Sequence, residues 1–432
     1  MPGAPMQAPS APPDDNTLIG GQGSDTVIGG TGNDLIFGGD LFISLPGATS
    51  PMLPPAPAPT PNSLVGGQGN DTVIGGTGND IIFGGEGDDY LTGDLGEDLY
   101  EGGSGRDTIV ESADADFVLG VTQLISGGIT ERLYDIEAAI LSGGIGDNRL
   151  DATAFLGRAI LIGNAGDDTL LGGAFGDQLF GGDGNDILVG NAGPDVLDTG
   201  AGSDSADGGD GNDIYLLELA GVQTLLDIGG IDSIDLSAAA FGVGADLGAG
   251  TIKFAGSTAA IAALGGSFEN LRGNSYDDAI VGSAARNILE GGGGIDFLDG
   301  GDAADMLIGG AGCDLLIGGF GADALIGNAA DDILIGGYTT YDGSAFALRQ
   351  ILGVWSGGDT YQHRIRALQS ASFAYRLVAD STVRDDNARD SLTGSSGSDW
   401  FFANVGNSSG QTGVLDCITD AAGQETRTDT DS

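Results

Sequence analysis

Glycine, acidic and aliphatic residues recur along this chain with a period of nine. The pattern Gly-Gly-x-Gly-x-Asp-x-(apolar)-x occurs twenty times, in four in-register blocks at 20–37, 66–110, 163–216 and 273–335. The sixth position is Asp in 19 of the 20 copies, and the eighth is Val, Ile or Leu in 17. A pattern held in phase over four blocks predicts a repeat architecture.

Each position of the repeat favours one local structure. Paired glycines permit positive φ and a tight turn. The last three residues are too few for a helix and alternate outward, inward and outward. They therefore predict a short strand whose middle side chain is buried. Two copies, 18 residues, make one coil with a strand on each side, and stacked coils bury the eighth-position residues in a continuous core.

The sixth-position aspartates are the candidate metal ligands. Stacked coils place two carboxylates about 4.8 Å apart, where they repel unless a cation lies between them. Carboxylate oxygens and turn carbonyls are the ligands that Ca²⁺ prefers. Pairs 18 residues apart number three in 66–110, four in 163–216 and five in 273–335, which predicts roughly a dozen Ca²⁺ sites. The block 20–37 completes no pair unless 40–65 loops out and lets it stack on the second block.

The nonapeptide resembles the repeats-in-toxin family, the hemolysin-type calcium-binding repeats of secreted bacterial proteins. The resemblance implies a parallel β-roll in which six residues of each copy form a calcium-binding turn and three form a strand. Carried onto this chain, it implies these metal ligands: Asp25, Asp34, Asp71, Asp80, Asp89, Asp98, Asp107, Asp168, Asp177, Asp186, Asp195, Asp204, Asp213, Asp278, Asp296, Asp305, Asp314, Asp323 and Asp332. We expect departures from the motif to weaken particular sites, namely those at Phe175, Pro194, Tyr276, Ala285, Asn287, Ala303 and Ala330.

Charge narrows the classes of partner. The net charge is −49, from 63 acidic and 14 basic residues, so nucleic acid and anionic membrane surfaces are poor partners. Without cations such a chain is expected to be largely disordered. The two cysteines, Cys313 and Cys417, predict no disulfide framework.

No apolar run approaches the roughly 20 residues of a membrane span. The first residues lack the charged and apolar regions of a cleavable signal peptide. That absence fits export by an uncleaved C-terminal signal, as the resemblance implies. It equally fits a cytosolic protein or a fragment of a longer chain.

Breaks in the repeat divide the chain into segments. A Pro- and Ala-rich stretch favours extended, solvated backbone, and two further stretches keep short β-like runs without the nonapeptide. The predicted segments are 1–39 (N-terminal partial repeat block), 40–65 (linker or excursion), 66–110 (calcium β-roll block), 111–162 (spacer strands), 163–216 (calcium β-roll block), 217–272 (spacer strands), 273–335 (calcium β-roll block) and 336–432 (C-terminal cap and secretion region).

The period changes near the C-terminus. Apolar residues at helical spacing predict two short amphipathic helices, from Leu348, Ile351, Leu352 and Trp355 and from Tyr361, Ile365 and Leu368. Candidate N-caps are Asp342 or Ser344 for the first helix and Asp359 or Thr360 for the second. A degenerate repeat follows at 394–402. The predicted fold is all-β: a parallel β-roll (β-helix) solenoid of nonapeptide repeats with a small mixed α/β C-terminal cap.

Catalytic motifs are weak. Asp198-Thr-Gly falls across a repeat junction in register, and Ser408 lies in a polar Gly/Ser loop instead of a strand–turn–helix elbow. The single histidine, His363, excludes a two-His zinc-protease motif. We therefore expect no enzyme within these residues.

The sequence thus favours a secreted, extracellular, calcium-binding β-roll that folds on binding Ca²⁺ after export and serves as a structural or adhesion module. The alternative is the C-terminal calcium-dependent export and folding region of a larger secreted enzyme or toxin, which a catalytic domain upstream of Met1 would favour. Calcium ions, a type I export apparatus and a cell-surface or matrix partner are the expected partners.

Overall fold

Each fully described nonapeptide folds as a tight turn followed by a strand, and consecutive repeat strands lie alternately in two sheets. The structure is a computed structural model that describes residues 15–20, 26–38, 61–379, 381–404, 415–419 and 426–429. The chain forms two compact units, residues 1–195 and 196–432.

The first unit is built from strands. They are β1 (Thr17–Ile19), β2 (Thr26–Thr31), β3 (Leu35–Phe37), β4 (Ser63–Gln68), β5 (Thr72–Thr77), β6 (Ile81–Glu86), β7 (Tyr90–Leu95), β8 (Leu99–Ser104), β9 (Thr108–Ser112), β10 (Phe117–Leu119), β11 (Gln123–Ser126), β12 (Ile129–Tyr134), β13 (Ala138–Ser142), β14 (Arg149–Asp151), β15 (Arg158–Ala165), β16 (Thr169–Leu171), β17 (Gln178–Asp183) and β18 (Ile187–Ala192).

One sheet of this unit has the order β1-β3-β5-β7-β9-β13-β15-β17, and all neighbouring strands are parallel. The other runs β2-β4-β6-β8-β12-β11-β10-β14-β16-β18 and is parallel except at β11, which is antiparallel to both neighbours. Leu64, Ile82 and Tyr100 lie opposite one another in register and are fully buried. The eighth positions therefore form the core, as the repeat predicts.

The first repeat block stacks on the second. Leu35 of β3 lies opposite Thr72 of β5, and Thr26 of β2 opposite Ser63 of β4. These partners are 37 residues apart, because the intervening segment interrupts the 18-residue spacing. The first block therefore stacks on the second and extends the ladder of coils, as expected if the intervening segment loops out. Residues 39–60 of that segment lie outside the described residues.

The second unit continues with strands and two helices. They are β19 (Val196–Asp198), β20 (Ser205–Asp210), β21 (Ile214–Leu216), β22 (Gln223–Leu226), β23 (Ser233–Asp235), β24 (Val243–Asp246), β25 (Thr251–Phe254), β26 (Ala260–Gly265), β27 (Asn270–Arg272), β28 (Ala279–Val281), β29 (Ile288–Gly293), β30 (Phe297–Asp302), β31 (Met306–Ala311), β32 (Leu315–Phe320), β33 (Ala324–Ala329), β34 (Ile333–Ile335), β35 (Tyr338–Thr339), α1 (Ala345–Trp355), α2 (Tyr361–Gln369), β36 (Val383–Arg384), β37 (Ser391–Ser396), β38 (Trp400–Ala403), β39 (Cys417–Ile418) and β40 (Thr426–Asp429).

The second unit repeats the two-sheet plan. One sheet runs β19-β21-β23-β27-β29-β31-β33-β37-β39, entirely parallel. The other runs β20-β22-β26-β25-β24-β28-β30-β32-β34-β38-β40, with β25 antiparallel to both neighbours. Each spacer, 111–162 and 217–272, therefore inserts one antiparallel meander into one sheet and leaves the core stack continuous. A short antiparallel pair, β35 with β36, stands apart.

The two predicted helices are confirmed, and they lie against the side of the roll. Ser344 caps α1 by accepting the N–H of Ala347, whereas Thr360 precedes α2 without a side-chain cap. Their apolar faces pack on outward-facing residues of β30, β32 and β34, including Phe297, Leu315 and Ile333. Strands β37 to β40 continue both sheets beyond the helices. Neither helix is long and apolar enough to cross a membrane in the described part of the chain.

Candidate metal sites

The sixth-position aspartates form a buried stack in each unit. Asp25 lies outside the described residues. The other eighteen predicted ligands are each no more than 3% exposed. Full burial of so many carboxylates is unusual, since an isolated charge loses a large hydration energy in a protein interior.

In most of the described repeat aspartates, one carboxylate oxygen joins successive coils. In the first unit, the N–H of Asp71 donates to Oδ1 of Asp89 at 2.7 Å, and the N–H of Asp89 donates to Oδ1 of Asp107 at 2.9 Å. In the second unit, the N–H of Asp305 donates to Oδ1 of Asp323 at 2.8 Å. The aspartates predicted to pair at a spacing of 18 residues are therefore brought together. The first block joins through Asp34, whose N–H donates to Oδ1 of Asp71 at 2.6 Å.

The second carboxylate oxygen, Oδ2, is left without a donor in many coils. It is buried and has no hydrogen-bond partner in twelve of the described repeat aspartates: Asp34, Asp71, Asp80, Asp89, Asp98, Asp107, Asp168, Asp296, Asp305, Asp314, Asp323 and Asp332. A buried acceptor without a partner keeps its full desolvation cost. Carboxylates stacked at about 4.8 Å add a mutual repulsion of roughly 3 kcal/mol at an effective dielectric constant of about 20.

The first glycine of each repeat makes room for this oxygen. A Cβ on Gly84 would overlap Oδ2 of Asp89 and lie 2.6 Å from the carbonyl oxygen of Gly102, one coil further on. A Cβ on Gly309 would lie 2.5 Å from Oδ2 of Asp314. A Cβ on Gly309 would also lie 3.0 Å from the carbonyl oxygen of Gly327. Glycine at this position thus leaves a cradle lined by a carboxylate oxygen and a backbone carbonyl of the next coil.

Burial perturbs the ionisation of these carboxyl groups. Burial raises the pKa of Asp89, Asp98 and Asp107 to about 6. Burial raises the pKa of Asp314 to about 7. In the middle of the last block, burial together with the charges of Asp314 and Asp278 raises the pKa of Asp296 to about 9. The metal-free stack therefore favours protons, and a divalent cation would compete for the same oxygens.

Three altered turns fill the cradle by other means. Where Phe175 enters the turn, Oδ2 of Asp177 accepts the N–H of Gly173 at 2.6 Å. Where Tyr276 enters, Oδ2 of Asp278 accepts the N–H of Asn274 at 2.8 Å. Where Asn287 replaces the aspartate, its Oδ1 accepts the N–H of Ser283 and its Nδ2 donates to the carbonyl oxygen of Glu269, both at 2.7 Å.

Other departures leave the cradle open. Ala303 and Ala330 keep the turn by adopting positive φ, 77° and 80°, at a cost of about 1 kcal/mol or more for a residue with a Cβ. The Oδ2 atoms of Asp305 and Asp332 in those repeats still have no partner.

Sequence reasoning missed members of the stack. The N–H of Asp323 donates to Oδ1 of Asp390, and the N–H of Asp332 donates to Oδ1 of Asp399, each at 2.8 Å across 67 residues. Asp399 is the sixth residue of the degenerate repeat. Asp390 was detectable only by the Asp-x-Leu pattern that leads to buried Leu392. Glu137 takes the same place in a spacer coil and accepts the N–H of Asp107 at 2.9 Å.

The weak catalytic motifs gain no support from their surroundings. Asp198 is half-buried and accepts the N–H of Gly200 at 3.2 Å. His363 lies on the exposed face of α2, with its Nδ1 3.6 Å from Asp359. Ser408 lies outside the described residues.

The donor set fits calcium. The unpartnered Oδ2 atoms are hard anionic oxygens, and glycine leaves carbonyl oxygens beside some of them, as Ca²⁺ coordination requires. No thiolate or imidazole that would favour a softer metal is a member of the described stacks.

Comparison with known families gives a direct match. The RTX calcium-binding nonapeptide repeat (4 copies) matches residues 13–40, 65–120, 160–179, 180–215, 265–337 and 380–409, which together make up more than half of the chain. The last of these ranges contains Asp390 and Asp399. The comparison with curated proteins gives no match. With its nonapeptide turns, parallel two-sheet coils and family matches in all four blocks, the chain belongs to the family of RTX calcium-binding repeat proteins.

Proposed function

We propose that this chain is an extracellular structural or adhesion module whose aspartate stacks hold roughly a dozen Ca²⁺ ions and whose folding depends on them. The observation that supports the proposal best is the set of twelve buried Oδ2 atoms that have no donor. These oxygens carry desolvation and repulsion in the metal-free fold, and bound Ca²⁺ would neutralise the paired carboxylates.

Folding and binding are coupled in this proposal because the coils are weak by themselves. Each coil buries only a narrow apolar stripe, and ordering costs roughly 1–2 kcal/mol per residue in conformational entropy. The chain contains 83 glycines, which lose the most freedom on folding. Binding free energy therefore becomes folding free energy.

The affinity expected for Ca²⁺ favours an extracellular location for the folded chain. Open, single-carboxylate-per-coil sites are expected to resemble extracellular calcium modules, with Kd of about 10⁻⁴–10⁻³ M. Cytosolic calcium lies well below this range, so the chain would stay expanded inside the cell and fold outside. Export through a type I apparatus and contact with a cell-surface or matrix partner remain predictions from the family resemblance.

The test is far-UV circular dichroism with small-angle scattering on the full chain, first in chelator and then with millimolar Ca²⁺ or Mg²⁺. At neutral pH we expect a largely expanded chain in chelator, a compact β-rich chain in Ca²⁺, and little response to Mg²⁺, which prefers smaller, partly hydrated octahedral sites. Calorimetry should count about a dozen ions. A compact β-rich signal in chelator would exclude the folding switch, and binding of only one or two ions would exclude the stacks as the sites.

A further inference from the structure

Three buried carboxylates meet where the block 163–216 ends. Asp213, Asp227 and Asp232 each offer an oxygen that lies within 4.8 Å of the others, and all three are buried. No other such group of three is present among the residues that the structure describes. Asp213 is a sixth-position repeat residue, but Asp227 and Asp232 lie in the spacer between β22 and β23.

Asp227 stands where a repeat has its first glycine. Residues 227–235 read Asp-Ile-Gly-Gly-Ile-Asp-Ser-Ile-Asp, so Asp232 takes the sixth position and buried Ile234 the eighth. In the preceding repeat, a Cβ on the first glycine, Gly208, would overlap Oδ2 of Asp213. A side chain at position 227 therefore enters the space that glycine leaves open in the nonapeptides, and it brings a third carboxylate.

Asp232 points an unpartnered oxygen into this cluster. Its Oδ1 accepts the N–H of Asp213 at 2.8 Å, and its Oδ2 is buried with no hydrogen-bond partner. No basic side chain forms an ion pair with Asp227 or Asp232 in the described chain. The negative charge of the cluster is thus not balanced by the protein.

Tyr215 holds Asp227 in place. Its hydroxyl accepts the N–H of Gly208 at 2.6 Å and lies 2.7 Å from Oδ2 of Asp227 and 2.6 Å from the carbonyl oxygen of Leu226. The hydroxyl has one proton for these two acceptors, so it can donate to only one at a time. A fixed carboxylate orientation of this kind is typical of groups that support a metal ligand from behind.

The other tyrosine at an eighth position has a similar neighbour. The hydroxyl of Tyr100 donates to Oε1 of Glu111 at 2.5 Å, and Glu111 also follows a repeat directly, at the place of the next first glycine. Tyr100 and Tyr215 are the two tyrosines at the eighth position. The pairing of a core tyrosine with an acidic first-position residue therefore occurs at the end of two repeat blocks.

We propose that Asp213, Asp227 and Asp232 form a separate Ca²⁺ site that ties the spacer 217–272 to the end of the repeat block. Asp227 supplies a carboxylate that the glycine-first turns of the family pattern do not have. The site shares Asp213 with the repeat stack, but it differs from the other aspartate pairs because Asp227 and Asp232 belong to no nonapeptide of the four blocks.

The test uses Tb³⁺ as the probe on the full chain, because tyrosine light absorption sensitises the emission of a lanthanide bound close to it. The variants are Asp227→Asn, which keeps an acceptor oxygen for Tyr215, Tyr215→Phe, and the double variant. Asp210→Asn is the matched control, since Asp210 is an exposed carboxylate on β20. Far-UV circular dichroism at saturating Ca²⁺ establishes that each variant folds.

We expect Tyr215→Phe to lower Tb³⁺ emission without changing the number of bound ions. In the Asp227→Asn background the same tyrosine change should have no effect, and calorimetry should count one Ca²⁺ fewer than in the wild type and in Asp210→Asn. Ca²⁺ should displace the Tb³⁺ that gives the Tyr215-dependent emission at a concentration at least tenfold lower than Mg²⁺ requires. Emission unchanged in Tyr215→Phe would overturn the proposal, and this variant decides the matter if Asp227→Asn does not fold. Asp314→Asn separates the two ideas, since it removes stack sites and should leave the Tyr215-dependent emission intact.

Discussion

The backbone N–H of Asp296 donates to Oδ1 of Asp314, one coil further along the chain, at 2.8 Å. In the same way, the backbone N–H of Asp314 donates to Oδ1 of Asp332 at 2.9 Å. Asp314 and Asp332 thus each accept a backbone N–H of the preceding coil with Oδ1, and their Oδ2 atoms stay available for a cation. The same side chain couples coils with and without metal, which allows the two roles to be separated by substitution.

Asp314→Asn and Asp314→Ala should differ in stability in calcium-free buffer at about pH 5.5, where protonated carboxyl groups support the fold, and should lose the same number of bound Ca²⁺ ions. Asparagine keeps an acceptor for the Asp296 N–H, whereas alanine leaves that buried donor unpaired, at about 1–3 kcal/mol. Both changes remove the charge shared with Asp296 and Asp332, so we expect calorimetry to count two ions fewer for each. Asp198→Ala is the control, since Asp198 lies outside the stack. Equal loss of ions in the control would contradict the assignment.

Asn287→Asp should add a Ca²⁺ site in the one repeat of the four blocks that has an amide in place of the sixth-position carboxylate. Asn287 donates to the carbonyl of Glu269 at 2.7 Å, and aspartate cannot. We therefore expect the free energy of unfolding in calcium-free buffer at about pH 5.5 to fall by about 1–3 kcal/mol. It should recover in millimolar Ca²⁺ with at least one additional bound ion. Asn270→Asp, a half-buried change outside the stack, serves as the control and should add no ion. Thermal melts with and without Ca²⁺ measure both effects.

Stability without metal should fall as pH rises. Burial raises the pKa of Asp296 and Asp332 from 3.8 to about 9, so the folded chain keeps protons that the unfolded chain has released. The stabilisation from these protons is complete below the unfolded value of 3.8 and is lost as pH approaches 9. Melting temperatures in calcium-free buffer should therefore decrease from about pH 5.5 to about pH 8.5.

Calcium should weaken or reverse that trend. Ca²⁺ binds the deprotonated carboxylates, so its stabilising effect grows with pH over the same range. The difference in melting temperature between Ca²⁺ and calcium-free buffer should be larger at the higher pH. A difference that shrinks with rising pH would show that the buried carboxyl groups are not the binding groups.

Gly84→Ala should disrupt calcium binding although alanine is small. A Cβ at this position would overlap Oδ2 of Asp89 and meet the carbonyl oxygen of Gly102 at 2.6 Å. We expect a several-fold higher calcium midpoint in circular dichroism. Gly353→Ala on α1 is the matched control, because nothing lies within 4 Å of its added Cβ. That change should stabilise the helix by roughly 0.5–1 kcal/mol. Gly84→Ala should therefore destabilise the folded chain, whereas Gly353→Ala should stabilise it.

Trp355→Ala should detach the helices and spare distant coils. Trp355 is fully buried, donates from Nε1 to the carbonyl of Asp331 at 2.5 Å, and packs under Arg364. Its removal should cost about 3–5 kcal/mol, while Phe346→Ala, 65% exposed on the same helix, should cost much less. Hydrogen exchange should rise in 345–369 and stay unchanged in 66–110. Equal rises in both segments would contradict a local role for the helices.

The sequence alone determined the repeat unit of this protein. Two glycines, one aspartate and one aliphatic residue at constant phase specify a turn, an inward carboxylate and a buried strand, because these are local conformational preferences repeated twenty times. The 18-residue pairing follows from that period, as Leu298 opposite Leu316 illustrates. The helices at 345–355 and 361–369 were predictable for the same reason, since apolar spacing is a local signal.

Only the tertiary structure decided how the chain continues where the period breaks. Asp390 and Asp399 join the stack after the helices because β37 and β38 pair with the otherwise open edges of β33 and β34. No local pattern predicts that the chain comes back to these edges across 67 residues. The three-carboxylate cluster was equally hidden, since Asp227 lies outside the four repeat blocks and becomes a neighbour of Asp213 only when coils stack. The structure also decided which departures from the motif close the cradle. Oδ2 of Asp177 accepts an N–H in the turn that contains Phe175, whereas Oδ2 of Asp305 has no partner in the turn that contains Ala303. The outcome depends on the backbone conformation that each altered turn adopts in the folded coil, which sequence periodicity does not record.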